Sequence, residues 1–322
     1  MDKTRKQLAK EFWDRSGELS ISNKKYANYI KKIINDKLID DCANEDITTS
    51  SLIGKNKKIK AAVVAKQDGI IAGIDEALLL DLSIKKLKND GNTIKKADKI
   101  LEIYDYAKKI LSYERTLLNI LQRMSGIATT AYNLSNKIGN NCFIAGTRKT
   151  LFSLLDKKAL SAGGALTHRL NLSDSILIKE NHLQLLNNNI KKALNLANEN
   201  NRARYVEIEV KNEKEALEAA KAISRLRPNK SFAIMFDNME PTQIKNSIEK
   251  INNNLTYDYN SYNQKINNNY KKNPNKKIIL FEASGGINEK NIMDYSKTGV
   301  DVISLGTLTH SVKAFDLSLE VL

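Results

Sequence analysis

Residues 142–182, CFIAGTRKTLFSLLDKKALSAGGALTHRLNLSDSILIKENH, carry the strongest fold signal in the sequence. Residues 142–145 and 175–178 are short apolar runs with the length of buried strands, and residues 151–162 between them have helical spacing. A strand, a helix and a second strand in this order predict two parallel strands joined by a crossover helix. Charged residues directly follow both strands. The stretch therefore predicts an α/β unit whose charged groups gather at one end of a parallel sheet.

The same alternation continues towards the C-terminus, whereas the N-terminal third has a different pattern. Further strands are predicted at residues 205–210, 232–236, 278–282 and 302–305, with helices near residues 183–199, 213–225, 241–250 and 288–298. In the N-terminal third, helical spacing over residues 5–20 and 25–38 is followed by predicted strands at 58–66, 83–87 and 99–104. A long helix is then predicted from residue 113 to about 137. We therefore expect a small α+β unit rich in antiparallel strands, followed by enough parallel strands for a β/α barrel.

The composition excludes several classes of protein. The 322 residues include 52 Lys and Arg against 37 Asp and Glu, which gives a formal charge of +15, and 41% are hydrophobic, enough for a core. No apolar run approaches the roughly 18 residues of a transmembrane helix, and the charged N-terminus lacks the apolar stretch of a signal peptide. Cys42 and Cys142 form neither a disulfide framework nor a metal-ligand cluster. We expect a soluble cytoplasmic protein.

The basic excess raises the alternative of a nucleic-acid-binding protein. The lysines are scattered, often as pairs on predicted helices, which is typical of solvated helix faces, and no nucleic-acid-binding motif is present. Residues 251–277 are rich in Asn, Tyr and Lys and are predicted to form a mobile polar insertion on the surface. Its tyrosines and lysines would suit single-stranded nucleic acid, but a tolerated polar loop is the favoured interpretation.

Charged residues or glycines follow nearly every predicted strand. The basic residues are Arg148, Lys149, His168, Arg169 and Lys179, the acidic ones are Glu209 and Asp237, and the glycine-containing turns are Ser284-Gly285-Gly286 and Gly306. Glu207, two residues before Glu209, is open to a role as a structural ion-pair partner. Arginine binds carboxylate and phosphate through paired hydrogen bonds, carboxylates bind ribose hydroxyls or Mg²⁺, and backbone N–H groups at a helix start bind phosphate. Because barrel strands end at one mouth, the pattern predicts a site for a polyanionic small molecule.

In this order the motifs resemble the quinolinate phosphoribosyltransferase family. The matching segments are Glu114-Arg115-Thr116, Thr147-Arg148-Lys149-Thr150, Gly163-Gly164 with His168-Arg169, Lys179-Glu180-Asn181-His182, Glu207-Ile208-Glu209, Asp237-Asn238, Glu282-Ala283-Ser284-Gly285-Gly286 and Gly306-Thr307. The resemblance covers the chain from about residue 26 to the C-terminus. Members of the family commonly have Pro-Gly soon after Thr-Arg-Lys-Thr, where this chain has Phe152-Ser153. The path of the loop after Lys149 is therefore expected to differ.

The resemblance implies a subunit of two domains. Residues 1–24 are an N-terminal extension, residues 25–130 form an α/β sandwich domain joined by C-terminal residues 308–322, and residues 131–307 form an incomplete α/β barrel with a polar insertion at 251–277. Subunits pair so that the sandwich of one faces the barrel mouth of its partner, in a homodimer or a higher even oligomer. The implied reaction transfers phosphoribosyl from phosphoribosyl pyrophosphate to quinolinate with Mg²⁺, and yields nicotinate mononucleotide, pyrophosphate and CO₂ in de novo NAD synthesis.

The resemblance also implies roles for individual residues. It places quinolinate-binding groups at Arg148, His168 and Arg169, lysines beside substrate carboxylates and phosphates at Lys149 and Lys179, and ligands of the ribose and of Mg²⁺, directly or through water, at Glu209 and Asp237. Ser284, Gly285, Gly286 and Gly306 match the region that binds the 5′-phosphate, and Arg115 matches an arginine shared across the dimer interface. The expected catalytic residues are Lys149, Lys179, Glu209 and Asp237.

Two alternative functions stay open at this point. A relative with another substrate, of the type associated with molybdenum transport, would share the fold, and fold alone does not determine the substrate. The His168-Arg169 pair and Lys179 favour a dicarboxylate, whereas Phe152-Ser153 and Thr167 leave the choice of substrate open. A non-enzymatic nucleic-acid-binding protein is the less favoured alternative.

Overall fold

The computed structural model describes residues 3–54, 56–226, 230–265 and 278–322, with the backbone alone at 254–265. Its helices are α1 (Arg5–Trp13), α2 (Lys24–Asp40), α3 (Ile47–Leu52), α4 (Ile74–Ala77), α5 (Ala107–Ile138), α6 (Leu154–Ala162), α7 (Glu180–Leu185), α8 (Ile190–Glu199), α9 (Glu213–Ser224), α10 (Pro241–Lys265), α11 (Ile292–Ser296) and α12 (Thr307–His310). Its strands are β1 (Lys58–Ala65), β2 (Gly69–Ile70), β3 (Ile84–Lys86), β4 (Thr93–Ile94), β5 (Lys99–Tyr106), β6 (Phe143–Gly146), β7 (Ile176–Ile178), β8 (Tyr205–Val210), β9 (Ser231–Asp237), β10 (Ile279–Ser284), β11 (Val302–Leu305) and β12 (Leu317–Val321). Among the helices described, none combines the length and the apolar character that crossing a membrane requires.

The chain divides into two compact units that alternate along the sequence. The sandwich unit consists of Arg15–Asn136, Gly146–Thr167 and Gly306–Leu322. The barrel unit consists of Met1–Asp14, Lys137–Ala145 and His168–Leu305. Helix α6 belongs to the sandwich unit, as do the C-terminal residues from Gly306 onwards. At the end of α6, Gly163 lies so close to α5 that a Cβ there would collide with the backbone of Ala128.

The sandwich unit is built on an antiparallel sheet in the order β12-β1-β5-β3. Strand β1 pairs with β5 on one side and with β12 on the other, where Ala61 is opposite Val321. The end of the chain thus contributes a strand to the sheet of the N-terminal residues. Helix α5 contributes the buried side chains of Leu117, Leu121 and Met124, which share a face because they are spaced by four and three residues. The long helix predicted from residue 113 begins at Ala107.

The barrel unit contains a six-stranded sheet in the order β6-β11-β10-β9-β8-β7. Each neighbouring pair from β7 to β11 in this order is parallel. Residues 232–236 of β9 are all buried, as expected for a strand that is covered on both faces. Strands β6 and β7 are the two edges of the sheet, so the barrel is open. The structure confirms the predicted fold class, an N-terminal α/β domain and an incomplete α/β barrel.

Helix α1 accounts for the apolar residues near the N-terminus. Phe12 and Trp13 are buried at its end, and the Phe12 ring packs edge-on against Tyr205 of β8 with 5.1 Å between the ring centroids. The predicted helix over residues 5–20 is wrong in its length. The helix ends at Trp13 because the backbone of Asp14 is extended.

Residues 183–199, predicted as one helix, belong to two helices, α7 and α8. Asn187 and Asn188 interrupt the pattern with φ angles of 53° and 54°. Asparagine adopts this left-handed conformation more readily than most residues. Asn189 then caps α8, since its side chain accepts the backbone N–H of Lys192 at 2.8 Å.

Part of the predicted insertion at 251–277 is helical. Helix α10 continues to Lys265, and the side chain of Ile251 is buried. The prediction of a loop is therefore wrong for residues 251–265. Once a helix has been nucleated by preceding residues, each further residue adds a hydrogen bond, so polar residues of modest helix propensity can extend it. Residues 266–277 lie outside the described part of the chain.

Candidate active site

The register of the barrel sheet places four carboxylates on one face near the C-terminal ends of its strands. Glu209 of β8 is opposite Met235 of β9, which in turn is opposite Glu282 of β10. Side chains alternate along a strand, so residues two positions apart share a face. Glu207 lies two residues before Glu209, and Asp237 lies two residues after Met235. Buried strands thus carry an unusual concentration of negative charge to one end of the sheet.

Lys179, directly after β7, neutralises part of this charge. Its Nζ forms an ion pair with Glu209, whose side chain is only 12% exposed, against 47% for Lys179. Burial raises the pKa of Glu209, the nearby charge of Asp237 raises it further, and the pairing with Lys179 opposes both effects. Glu209 and Asp237 also line one cavity of about 470 Å³, together with Glu180 and Lys211. The structure therefore brings together Lys179, Glu209 and Asp237.

His168, Glu207 and Glu282 form a second, fully buried cluster. His168 Nε2 is 3.1 Å from Glu282 Oε2 and 3.4 Å from Glu207 Oε2. Trp13 of α1 donates its indole N–H to Glu207 Oε1 at 3.2 Å. Burial and the adjacent charge of Glu282 raise the pKa of Glu207, and the contact with His168 opposes this rise. Glu207 is therefore a structural partner of His168 and Trp13, one of the interpretations that the sequence leaves open.

The hydrogen bonds of His168 determine where its proton lies. Nδ1 accepts the backbone N–H of Arg169 at 2.8 Å, so the ring proton is on Nε2 and faces Glu282 and Glu207. A metal ion held by these three residues would have to replace that proton, although their ligand atoms lie within 4.8 Å of one another. Both ring nitrogens face protein partners, and contact of His168 with quinolinate stays a prediction. Arg169 is also buried, with Nη1 donating to the carbonyl oxygen of Ser175 at 3.2 Å.

The turn after β10 is tied to the turn after β9. Asn238 donates its backbone N–H to the carbonyl oxygen of Ser284 at 2.9 Å, and Ser304 Oγ donates to Ser284 Oγ at 3.0 Å. Gly285 has a φ of 87°, and a Cβ there would collide with the side chain of Asn238. Both observations require glycine at this position. Gly286, with a φ of 65°, is exposed and completes the turn.

The remaining predicted site residues belong to the sandwich unit. Arg148 and Lys149 are exposed on the loop between β6 and α6. A Cβ at Gly306 would lie 2.9 Å from the His310 ring and 3.3 Å from Lys149 Cδ, so this glycine leaves room for both side chains. Arg115 is exposed on α5. Within this unit the structure brings Lys149 to Gly306 and leaves the side chains of Arg148 and Arg115 in solvent.

Sequence reasoning missed several residues that hold these groups in place. Glu282 is a charged residue inside an otherwise apolar strand, and that contrast was a usable signal, because glutamate is rarely buried without a partner. Trp13 falls within the predicted helix over residues 5–20, and helical spacing does not indicate its hydrogen bond to Glu207. Arg123 of α5 and Asp156 of α6 form a two-point ion pair, and nothing in the local sequence indicates that these positions meet.

Fold and site together define an enzyme class. A parallel α/β sheet with acidic and basic groups at the C-terminal ends of its strands is typical of barrel enzymes that act on charged small molecules. The antiparallel sheet of the sandwich unit adds a second domain to this scheme.

Two family models match almost the whole chain. The model described as quinolinate phosphoribosyl transferase, C-terminal domain, matches residues 127–320, and the model for the N-terminal domain matches residues 46–125. The chain belongs to the quinolinate phosphoribosyltransferase family. This finding confirms the resemblance that the motifs indicated.

Individual relatives and solved structures agree with this assignment. The chain is 38% identical over 304 residues to the probable nicotinate-nucleotide pyrophosphorylase [carboxylating] of Methanocaldococcus jannaschii, covering 91% of this chain and 98% of that protein. It is 32% identical to the protein of the same name from Bacillus subtilis, with coverages of 91% and 93%. Among solved structures, the nicotinate-nucleotide pyrophosphorylase from Francisella tularensis is similar with a TM-score of 0.73 and 29% identity, covering 92% of this chain and 96% of that one.

Proposed function

We propose that the protein transfers the phosphoribosyl group of phosphoribosyl pyrophosphate to quinolinate, with release of pyrophosphate and CO₂ and formation of nicotinate mononucleotide. The observation that carries the proposal is the similarity over nearly the full length to relatives named for this activity, 38% identical in the first case. The similarity spans both compact units, because the two family models together cover residues 46–125 and 127–320. The reaction is a step of NAD biosynthesis.

The basic residues suit the charges of the two substrates. Quinolinate carries two carboxylates, and the donor carries a phosphate and a pyrophosphate. In the proposal Arg148, His168 and Arg169 bind quinolinate, while Lys149 and Lys179 lie beside carboxylates and phosphates. Arginine is suited to this task because its planar fork matches a carboxylate with two hydrogen bonds. The exposure of Arg148 and Lys149 supports a role in binding rather than in packing.

The carboxylates suit the ribose and a divalent cation. Glu209 and Asp237 lie close enough for the charge of Asp237 to raise the pKa of Glu209, and both line the same cavity. Carboxylate oxygens are the protein ligands that Mg²⁺ prefers, so this donor set fits Mg²⁺. When bound, the ion supplies positive charge that stabilises the departing pyrophosphate. The turn of Ser284, Gly285 and Gly286, with Gly306, supplies backbone N–H groups for the 5′-phosphate.

The chemistry needs orientation and electrostatic stabilisation rather than a covalent intermediate. The ring nitrogen of quinolinate forms a bond to the anomeric carbon of the ribose as the bond to pyrophosphate breaks. Glu209 and Asp237 stabilise the positive charge that develops on the ribose during this step. The positively charged ring then accepts the electron pair of the adjacent carbon–carboxylate bond. CO₂ leaves, and a proton from solvent replaces it on the ring.

The proposal includes a homodimer or a higher even oligomer in which Arg115 reaches the site of the partner subunit. Two observations support it. Arg115 projects into solvent from α5. The apolar side chains of Ile47 and Leu52 on α3 are 80% and 76% exposed, as expected for a surface that becomes covered on association.

A coupled assay of CO₂ and pyrophosphate tests the proposed function. We expect both products in equal amounts from quinolinate when phosphoribosyl pyrophosphate and Mg²⁺ are present, and neither product when the donor is omitted. Nicotinate, which lacks the second carboxylate, is the matched control and should yield little pyrophosphate. Turnover of nicotinate at the rate of quinolinate, or the absence of turnover with both, would contradict the proposal.

A further inference from the structure

An ion pair in the sandwich unit lies next to the loop that carries Arg148 and Lys149. Arg123 Nε and Nη2 on α5 donate to the two carboxylate oxygens of Asp156 on α6, each at 2.7 Å. The Asp156 side chain is fully buried, and that of Arg123 is 23% exposed. A planar two-point contact of this kind fixes orientation as well as distance.

Two hydrogen-bonded links lead from this pair to the loop. On one side, Thr150 Oγ1 donates to Asp156. On the other side, Arg123 Nη2 donates to the carbonyl oxygen of Thr309 at 3.2 Å, and Thr309 Oγ1 donates to the carbonyl oxygen of Lys149 at 2.8 Å. The ion pair therefore restrains the loop at two consecutive residues, Lys149 and Thr150.

Phe152 provides a third link, in the part of the loop where family members commonly have Pro-Gly. The guanidinium carbon of Arg123 lies 4.7 Å from the centroid of the Phe152 ring, within the range of a cation–π contact. Tyr29 donates its hydroxyl to the carbonyl oxygen of Phe152 at 3.1 Å. Proline stiffens a loop by fixing its own φ angle. In this chain the side-chain and carbonyl contacts of Phe152 supply a restraint instead.

We propose that Arg123 is a positioning residue, which orients the Arg148–Lys149 loop for the anionic substrates through Asp156 and Phe152. The inference rests on the proposed function, in which Arg148 and Lys149 bind those substrates. A loop that is ordered before binding loses less conformational entropy when the substrate arrives. Loss of the planar fork at Arg123 therefore weakens substrate binding, even though the positive charge is kept.

Steady-state kinetics of Arg123→Lys and of Arg5→Lys test the inference. Arg5 is a matched control, because its Nε and Nη2 contact the two carboxylate oxygens of Asp301 at 2.6 and 2.7 Å in the barrel unit. Both substitutions keep the positive charge and remove the planar guanidinium that makes the two-point contact. We expect Arg123→Lys to raise the KM for quinolinate about tenfold, the effect of losing about 1.4 kcal/mol, and Arg5→Lys to change it less than about twofold.

Amide hydrogen exchange of the ligand-free protein gives a readout that does not depend on the reaction. We expect Arg123→Lys to accelerate exchange over residues 147–152 about tenfold, and Arg5→Lys to leave these amides as in the wild type. Thr150→Val removes the hydroxyl that donates to Asp156 and that also accepts the Phe152 N–H at 3.1 Å. Its effect is therefore measured at residues 147–151, whose amides are expected to exchange faster. This milder variant decides the question if Arg123→Lys does not fold.

The outcomes separate this inference from the proposed function. Wild-type exchange rates over 147–151 in both Arg123→Lys and Thr150→Val overturn the positioning role, and so does an equal rise of KM in Arg5→Lys. If the wild type releases no CO₂ from quinolinate, the proposed function fails. In that case the exchange rates still show whether Arg123 holds the loop.

Discussion

Replacing Lys179 by methionine removes the cation that faces a mostly buried carboxylate. Methionine keeps the length of the side chain and loses the charge. In the wild type the Lys179 ammonium pairs with Glu209, whose side chain is 12% exposed and lies near Asp237. After the change, two neighbouring carboxylates remain without this counter-charge. Under the proposed function, the anionic substrates also lose one cationic contact.

The size of the effect follows from the burial of Glu209. A hydrogen bond to a charged group contributes about 1.5–3 kcal/mol, which corresponds to a loss of about 10- to 100-fold in kcat/KM. Lys179→Arg keeps the charge and should retain more activity than Lys179→Met. The assay is the initial rate of pyrophosphate release at subsaturating quinolinate, with circular dichroism as a check of folding.

Lys250 provides a matched control for Lys179→Met. It pairs with Glu213 at 2.5 Å, with side chains that are 54% and 36% exposed. Exposed pairs of this kind contribute about 0–1 kcal/mol, so Lys250→Met should change kcat/KM less than about threefold. Equal losses of activity in Lys179→Met and Lys250→Met would refute the assignment of Lys179 to the site.

Three further predictions concern stability, pH and the metal. Trp13→Phe leaves a buried oxygen of Glu207 without its indole donor. This change should lower the free energy of unfolding by about 1–3 kcal/mol in urea titrations. An unchanged unfolding midpoint would contradict the hydrogen bond. Burial and, to a smaller extent, the charge of Asp90 raise the pKa of Glu76 from 4.5 to about 7. Between these two pH values the folded state holds a proton that the unfolded state has released. The free energy of unfolding therefore falls as the pH rises from about 4.5 to 7. Glu76→Gln should remove this pH-dependent loss of stability. Above pH 7 the variant should be more stable than the wild type by up to about 3 kcal/mol in urea titrations. An unchanged pH dependence would contradict the raised pKa of Glu76. Chelation of Mg²⁺ should abolish pyrophosphate release, and Asp237→Asn should raise the Mg²⁺ concentration for half-maximal rate about tenfold, whereas an unchanged requirement would exclude Asp237 as a ligand.

Much of the fold is local in origin and could be predicted. Strands at 205–210 and 302–305 have the predicted bounds because short apolar runs between polar segments leave little choice of structure. The predicted boundaries are wrong where a single residue ends a helix, or where a helix extends beyond its last apolar residues. The extended backbone of Asp14 shortens α1, and α10 continues through polar residues to Lys265.

The sequence predicts which charged groups follow the strands, but only some of the contacts between them. The pairing of Lys179 with Glu209 follows from adjacent parallel strands that end at the same edge, which the sequence predicts. The position of His168 between two glutamates cannot be predicted in this way, because it depends on the register of β8 and β10 against β9. The contact of Arg123 with Asp156 depends on how two helices pack, and amphipathic periodicity carries no information about that pairing.

The fate of each carboxylate carbon of quinolinate tests the central claim most directly. Quinolinate labelled in the carboxylate next to the ring nitrogen should release all of its label as CO₂, one equivalent per pyrophosphate, and only with phosphoribosyl pyrophosphate present. Label in the other carboxylate should remain in the nucleotide product. Labelled CO₂ from the second position, or pyrophosphate formed without CO₂, would contradict the account.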